Sequence, residues 1–230
     1  MRPQYISALL LNSLVAACPI VNKPTPTATT AAAPAATTTT TPGSNTGGDG
    51  GSGPSVTADQ ILAIMPKSKS CDGAQFPDEC RTATAAAPFI QSACAKYSLN
   101  TAECAATIAL MAVESGELKF KHNVFPGRAG QGTANMMMPN FVTQYATSIF
   151  GATDVTGKEP NAVLAMVTND NHNFASAAWY LVTTCKASER EALQKGDDAG
   201  WLEYHNCIGV DGNAPDRMPF WVEAKKAFGL

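Results

Sequence analysis

The chain has 230 residues and a formal charge of −3, with 15% charged residues, so it lacks the basic excess that nucleic-acid binding calls for. Its pI of about 5.6 also gives no electrostatic attraction to an anionic surface. No basic patch or phosphate-binding motif redirects that reading.

Residues 1–17, "MRPQYISALLLNSLVAA", place one Arg near the start, then an apolar core, then small residues before Cys18, which is the pattern of a secretory signal. The apolar run is too short and too interrupted for a membrane span. The same letters satisfy a bacterial lipoprotein signal, with Cys18 lipidated, although the weakly charged start and the Thr/Pro-rich stretch after it look more eukaryotic. From residue 18 to 54 the composition turns to Thr, Ala and Pro ("PTPTATTAAAPAATTTTTPG") and then to Gly and small polar residues ("SNTGGDGGSG"). Such a stretch has nothing with which to build a core and is expected to be disordered. Its Thr/Pro part suits an O-glycosylated spacer and its Gly part a hinge, an unmodified tail being the alternative.

Residues 55–230 form the one expected domain, long enough for a substantial core. Six of the seven cysteines lie in it: Cys71, Cys80, Cys94, Cys104, Cys185 and Cys207. An even number behind a secretory signal predicts three disulfides. Fifteen pairings are open, of which local order favours Cys71–Cys80, Cys94–Cys104 and Cys185–Cys207. No CxxC pair suggests zinc or redox chemistry, His122, His172 and His205 lack metal-ligand spacing, and no cofactor is expected.

The texture after residue 55 is helical throughout, and the domain is expected to be mostly α. Thr57 with Gln60 is a capping-box pattern opening a helix that stops before Pro66. A second helix is expected after Pro77, interrupted near Pro88 and ending at Tyr97. Asn100 with Glu103 caps the next, whose run from Ala105 to Val113 is apolar on nearly all sides and so predicts a central helix. Residues 119–139, "KFKHNVFPGRAGQGTANMMMP", read as a long loop, and a loop of this length in a compact domain is more often functional than not. Further helices are expected over 140–150, 160–167, 173–184, 197–205 and 215–228.

The central helix ends on Glu114, and that is an electrostatically poor place for an acid. The negative end of the helix dipole and partial desolvation both oppose ionisation there. A carboxyl kept protonated near neutral pH is what a general acid needs.

Glu114-Ser115 at the end of a buried helix, a glycine-rich loop, and "GTANMMMP" (132–139) opening the next helix together resemble the lysozyme-like superfamily. The nearest branch is that of the goose-type lysozymes and lytic transglycosylases, whose pattern is Glu-Ser followed by roughly Gly-Leu-Met-Gln-x-Met-Pro. Here Asn135 stands where the family has Gln, with one more residue before the proline. "FASAAWYLV" (174–182) looks like a later helix of those enzymes, and "EYHNCIG" (203–209) loosely echoes their Tyr-Asn-Ala-Gly. The arrangement also resembles a group of uncharacterised secreted fungal proteins carrying "ESG…FKY…GQGTRNM" and "SAAWFL". The resemblance spans most of residues 90–228. It implies a lysozyme-like helical domain with a long active-site loop, Glu114 as catalytic acid, and substrate contacts from Ser115 and Tyr204. Trp179 and Tyr180 carry rings that suit stacking on a sugar face, with at least one of them expected in the core, and Trp201 and Trp221 are open to the same two readings.

Glycosidic cleavage needs a proton donor at the leaving oxygen, and an inverting or retaining hydrolase a second carboxylate as well. Glu114 fits the donor. Glu117, Asp154, Asp170 and Asp211 have no obvious claim to the second role, and the resembled transglycosylases manage with one Glu, the substrate supplying the other group. In the loop, His122, Asn123, Gln131, Thr133 and Asn135 offer neutral partners for hydroxyls and acetamides, and Arg128 a cation for an anionic group. For each of them alone, a polar loop residue satisfied by its own backbone is the bland alternative.

The sequence thus points to a secreted, monomeric enzyme, of the kind a spacer holds at a cell wall, acting on a β-1,4-linked polysaccharide of the peptidoglycan or chitin type. The other class left open is a non-catalytic carbohydrate-binding or effector protein on the same fold. A raised, cleft-exposed Glu114 favours the enzyme, and a carboxylate neutralised by an adjacent Lys or Arg favours the binder.

Overall fold

The computed structural model describes residues 53–230. The expected signal and nearly all of the expected linker lie outside the described residues. Helix α1 (Ala58–Ile64) opens on the Thr57/Gln60 capping box, and a short 3-10 turn, Pro66–Lys69, comes after it. Helix α2 runs from Ala83 to Lys96 and α3 from Thr101 to Glu114, the latter opened by the Asn100/Glu103 box. After the loop come α4 (Pro139–Phe150), α5 (Ala152–Val155), α6 (Pro160–Val167), α7 (Asp170–Asn173) and α8 (Ser176–Thr184). The chain closes with α9 (Ala187–Leu193), α10 (Asp198–Ile208) and α11 (Met218–Phe228). Among the described residues there is no strand, only isolated bridges joining His122 and Met137 to Gly132.

Two expectations need correction. Pro88 sits inside α2 without breaking it, and the stretch from Asp78 to Thr82 is not helical. Pro removes one helical N–H, so the carbonyl of Thr84 loses its partner. Both residues are exposed, so the loss falls on the solvent side of the helix. The helix expected over 173–184 is also split, because α7 ends at Asn173 before α8 begins at Ser176.

Helix α3 is central, as its composition requires: Ala102 through Ala112 are all buried. Around it α1, α2, α8, α9, α10 and α11 close a large core, in which Trp201 and Trp221 stack at 5.2 Å. A second, smaller core joins α4, α5, α6 and one face of α8, centred on Tyr145, Val167 and Trp179. Helix α8 belongs to both, giving Ala177, Ala178 and Leu181 to the first and Trp179 and Tyr180 to the second. All three tryptophans are therefore core residues.

Three disulfides staple these parts, in the pairing favoured by local order: Cys71–Cys80, Cys94–Cys104 and Cys185–Cys207. The last ties the end of α8 to the end of α10. Cys185, Glu189 and Cys207 lie close enough to suggest a metal-ligand set, but the two sulfurs are bonded to each other and are not free to coordinate. No helix among the described residues is long and apolar enough to cross a membrane.

Candidate active site

Immediately after Glu114 and its cap residue Ser115, the backbone turns left-handed three times in succession, at Gly116, Glu117 and Leu118 (φ +60°, +60° and +66°). For Glu and Leu this conformation is costly, on the order of 1–2 kcal/mol each. The turn is held by buried partners. Ser115 Oγ donates to the Met111 carbonyl at 2.6 Å and accepts from the Leu118 N–H at 2.8 Å. Glu117 is buried, and its carboxylate takes the Lys67 N–H at 2.8 Å and the Lys67 ammonium at 3.0 Å. Ser115 is accordingly a cap, spent on its own backbone, and Glu117 faces away as half of an ion pair.

The loop from 119 to 138 then crosses itself at Gly132. Its N–H donates to the Met137 carbonyl at 3.1 Å, and the next N–H, of Thr133, donates to the Lys121 carbonyl at 2.9 Å. A side chain at Gly132 would meet the Lys121 carbonyl oxygen at 2.6 Å and Leu164 at 2.7 Å, so the crossing admits only glycine. Close approach, rather than phosphate binding, explains the glycine.

This crossing folds the loop against Glu114 and leaves open space on both sides of the carboxylate. One cavity, of about 310 Å³, lies at the seam of the two cores between Leu110, Met137, Phe141, Tyr180, Ile208 and Arg217. A second, of about 370 Å³, lies on the other side, lined by Phe120, His122, Asn123 and Phe125. Glu114, Gln131 and Met136 line both, so the two spaces meet over Glu114. Glu114 is the one acid among the residues lining them.

Glu114 itself is 19% exposed at the side chain. Burial pushes its pKa above the usual carboxylate range and outweighs the opposing Arg217, whose Nη2 donates to Glu114 Oε1 at 2.7 Å; the nearby Asp216 adds to the rise. No local sequence signal marks Arg217: it is 103 residues away, at the start of α11. Beneath the pair, polar atoms without hydrogen-bond partners concentrate: Arg217 Nη1, Tyr204 Oη and His205 Nε2. Buried polar atoms are rarely left unpaired, and such clusters call for an explanation.

The other expected contacts divide. His122 and Asn123 reach the second cavity, Asn135 and Tyr180 the first, and Gln131 both. Asn123 Nδ2 donates to Gln131 Oε1 at 2.6 Å, which fixes both amides, while His122 Nδ1 pairs with Glu79. Thr133 is fully buried, its hydroxyl given to the Gly132 carbonyl at 2.6 Å. Tyr204 is fully buried as well and lines neither cavity. Arg128 is exposed and outside both, 3.3 Å from the sulfur of Met138. The three methionines Met136–Met138 form an apolar wall of the first cavity.

Asn135 invites a count of protons. Its Oδ1 stands 2.9 Å from Thr133 Oγ1 and 2.6 Å from Ser176 Oγ. Each hydroxyl has a single proton and already faces a backbone carbonyl, Gly132 at 2.6 Å and Asn173 at 2.7 Å. Turning the amide over gives both hydroxyls a donor and aims the side-chain oxygen at the cavity, which is the orientation the network favours. Phe125, which nothing in the sequence pattern marks, stands 92% exposed on the lip of the second cavity, where an aromatic face is open to a flat ligand.

No family model and no solved structure matches the chain. A bifunctional dioxygenase–epoxy alcohol synthase of Fusarium oxysporum (strain Fo5176) is 43% identical over 159 residues, which covers 64% of this chain and 12% of that relative. The chain thus spans a small fraction of the relative's length.

Proposed function

We propose that this chain is a secreted, lysozyme-like glycoside hydrolase or lytic transglycosylase, cleaving a β-1,4-linked cell-wall polysaccharide of the peptidoglycan or chitin type with Glu114 as general acid. The observation that carries the reading is the place of Glu114 where two open cavities meet, on the last turn of a rigid buried helix, with burial favouring its protonated form. A polymer lying along both cavities would bring one glycosidic oxygen over that carboxyl. Proton donation to the leaving oxygen makes the charge-developing sugar cation accessible. With one acid lining the cleft, the second group comes from the substrate, as in the transglycosylases the sequence resembles. Three disulfides support an oxidising, extracellular setting. The activities in the Fusarium relative's name describe a chain of which this one spans 12%, and they carry no weight in assigning Glu114.

A second reading is favoured by one specific contact. The Arg217–Glu114 ion pair works against burial and favours the charged carboxylate, which suits a non-catalytic carbohydrate binder or effector on the same fold. Mass spectrometry of products from peptidoglycan, chitin oligomers and mannan separates the two, with Glu114→Gln beside the wild type. The enzyme reading expects fragments from the wild type and a loss of about 10²–10⁴-fold in the variant. An anhydro end on the products marks transglycosylation. Absence of fragments from every substrate, with equal sugar binding by both proteins, leaves the binding module.

A further inference from the structure

Taking the second group from the substrate leaves one task without an owner. Once Glu114 has protonated the leaving oxygen, the sugar is held as a cyclic intermediate by its own acetamide, and a water that opens it must give up a proton. Glu114, by then a carboxylate, is one candidate for that proton, and Arg217 holds it at 2.7 Å. The second cavity supplies another.

His122 has the build of a positioned base. Its backbone is pinned on both sides: the Thr133 N–H donates to the Lys121 carbonyl at 2.9 Å, and the Asn123 N–H to the Gln131 carbonyl at 3.0 Å. Phe76 packs edge-on against the ring, 5.8 Å between centroids. Nδ1 faces Oε1 of Glu79, whose other oxygen accepts the Lys121 N–H at 2.9 Å, so the carboxylate is itself held in place. A carboxylate only accepts, so in the neutral ring Nδ1 carries the proton and Nε2 keeps a bare lone pair. No residue among those described hydrogen-bonds Nε2, which is open to solvent on a side chain 37% exposed.

The ring also stands in the right place. It divides the second cavity, which it lines together with Glu114, from a third space of about 400 Å³, which it lines together with Glu79 and Lys121. Glu79 borders the third space and not the second cavity, and the two ring nitrogens point away from one another. The Nδ1 edge is thus turned to the third space, and the Nε2 edge to the cavity that holds Glu114.

We propose that His122, positioned by Glu79, is the general base that deprotonates the water opening the intermediate, which makes the reaction a hydrolysis. The proposal rests on the reading of Glu114 as the acid. In this step the water oxygen bonds the anomeric carbon, and the bond from that carbon to the acetamide oxygen breaks. The water's proton passes to His122 Nε2 and from there to solvent. The anomeric carbon, inverted twice, keeps its configuration.

The test is turnover of chitopentaose and of soluble peptidoglycan fragments, both built of acetamido sugars, followed by mass spectrometry in ¹⁸O-water with and without sodium azide. Azide attacks without losing a proton, so it replaces the water and its base together. The wild type should label each new reducing end with ¹⁸O. His122→Ala should lower that rate about 10²-fold with KM unchanged, and azide should restore turnover as the β-glycosyl azide. Glu79→Gln should lower kcat by a smaller factor, with KM unchanged and the same response to azide, which a merely structural loss does not show. Glu114→Gln lacks the acid and should gain nothing from azide. ¹⁵N NMR of the wild type, which needs no variant to fold, should show the Nδ1–H tautomer of His122 in the neutral ring. A wild-type rate in His122→Ala, a loss that azide does not restore, products ending only in anhydro sugars, or an Nε2–H tautomer overturns the proposal. Each of those results leaves Glu114 as the acid, whereas a wild type that cuts neither substrate removes the acid and the base with it.

Discussion

Acid should destabilise this domain through one imidazole. His205 is 1% exposed, its ring lies 3.8 Å from that of Trp201, and its Nδ1 is 3.0 Å from the Trp201 carbonyl. A carbonyl only accepts, so Nδ1 carries the proton and Nε2 is bare, buried and without a partner. A second proton on Nε2 would place a cation in that unpartnered position near Arg217, and burial and that guanidinium together bring the pKa from 6.5 to about 4. A tenfold change in proton affinity is worth about 1.4 kcal/mol, so the gap amounts to about 3 kcal/mol. Its sign comes from linkage. Below pH 6.5 the unfolded chain binds a proton that the native one refuses, so this contribution is complete above 6.5 and is lost as pH falls through about 4. Urea denaturation of the wild type and His205→Asn across pH 4 to 7.5 checks it. Asn keeps an N–H for the Trp201 carbonyl and gives up the titration, and carboxylates that titrate in the same range cancel in the difference. The wild type should lose about 3 kcal/mol more than the variant over that window. Parallel stability curves for the two proteins refute the argument.

Four further outcomes are expected. Replacing Cys185 and Cys207 together by Ser opens a loop of 22 residues and should cost about 3 kcal/mol by loop entropy, read as a lower denaturation midpoint. Gly132→Ala has no room for its methyl beside the Lys121 carbonyl and Leu164; a loss of about 1–3 kcal/mol is expected, with weaker oligosaccharide binding as Gln131 shifts. Phe125→Ala should leave the melting temperature unchanged and weaken polysaccharide binding about fivefold, the worth of one stacked ring. Glu114 has its pKa raised by burial, so the native state binds the proton better above the ordinary value of 4.5, and stability is lost as pH rises through the raised folded value. Glu114→Gln should therefore melt above the wild type near neutral pH and together with it near pH 3.

What the sequence made legible is chemistry between near neighbours. The Thr57/Gln60 and Asn100/Glu103 boxes each close within three residues, and the disulfides close within 22. The apolar run before Glu114 has one physical use, burial on every side, and α3 has it. Misreadings arise where a residue's partner is distant or its backbone unusual. Pro88 ends a helix in most settings, but not where the orphaned carbonyl lies on the solvent side. Ser115, Thr133 and Tyr204 carry the right functional groups and spend or bury them, which composition does not reveal. Arg217 meets Glu114 only because α11 packs along α3, so nothing near either residue announces the pair. The second core is invisible for the same reason, since Trp179 and Tyr180 turn to one core and Leu181 to the other within a single helix. Helix α9 is the opposite case: "ASEREAL" is made of good helix formers, and the sequence reading passes over it.

The left-handed turn after Glu114 also sets where this domain can be cut. Its buried carboxylate, Glu117, is satisfied from the 3-10 turn at Lys67, by a backbone N–H as well as an ammonium, and α1 just before it donates from Gln60 to the Ala227 carbonyl of α11. A fragment begun at Cys71, the first cysteine of the framework, would keep every disulfide and every cavity-lining side chain, yet it would leave Glu117 charged in the interior with nothing to answer it. The segment from residue 57 to 69 is thus an internal splint for the cleft, and the smallest autonomous unit starts ahead of it.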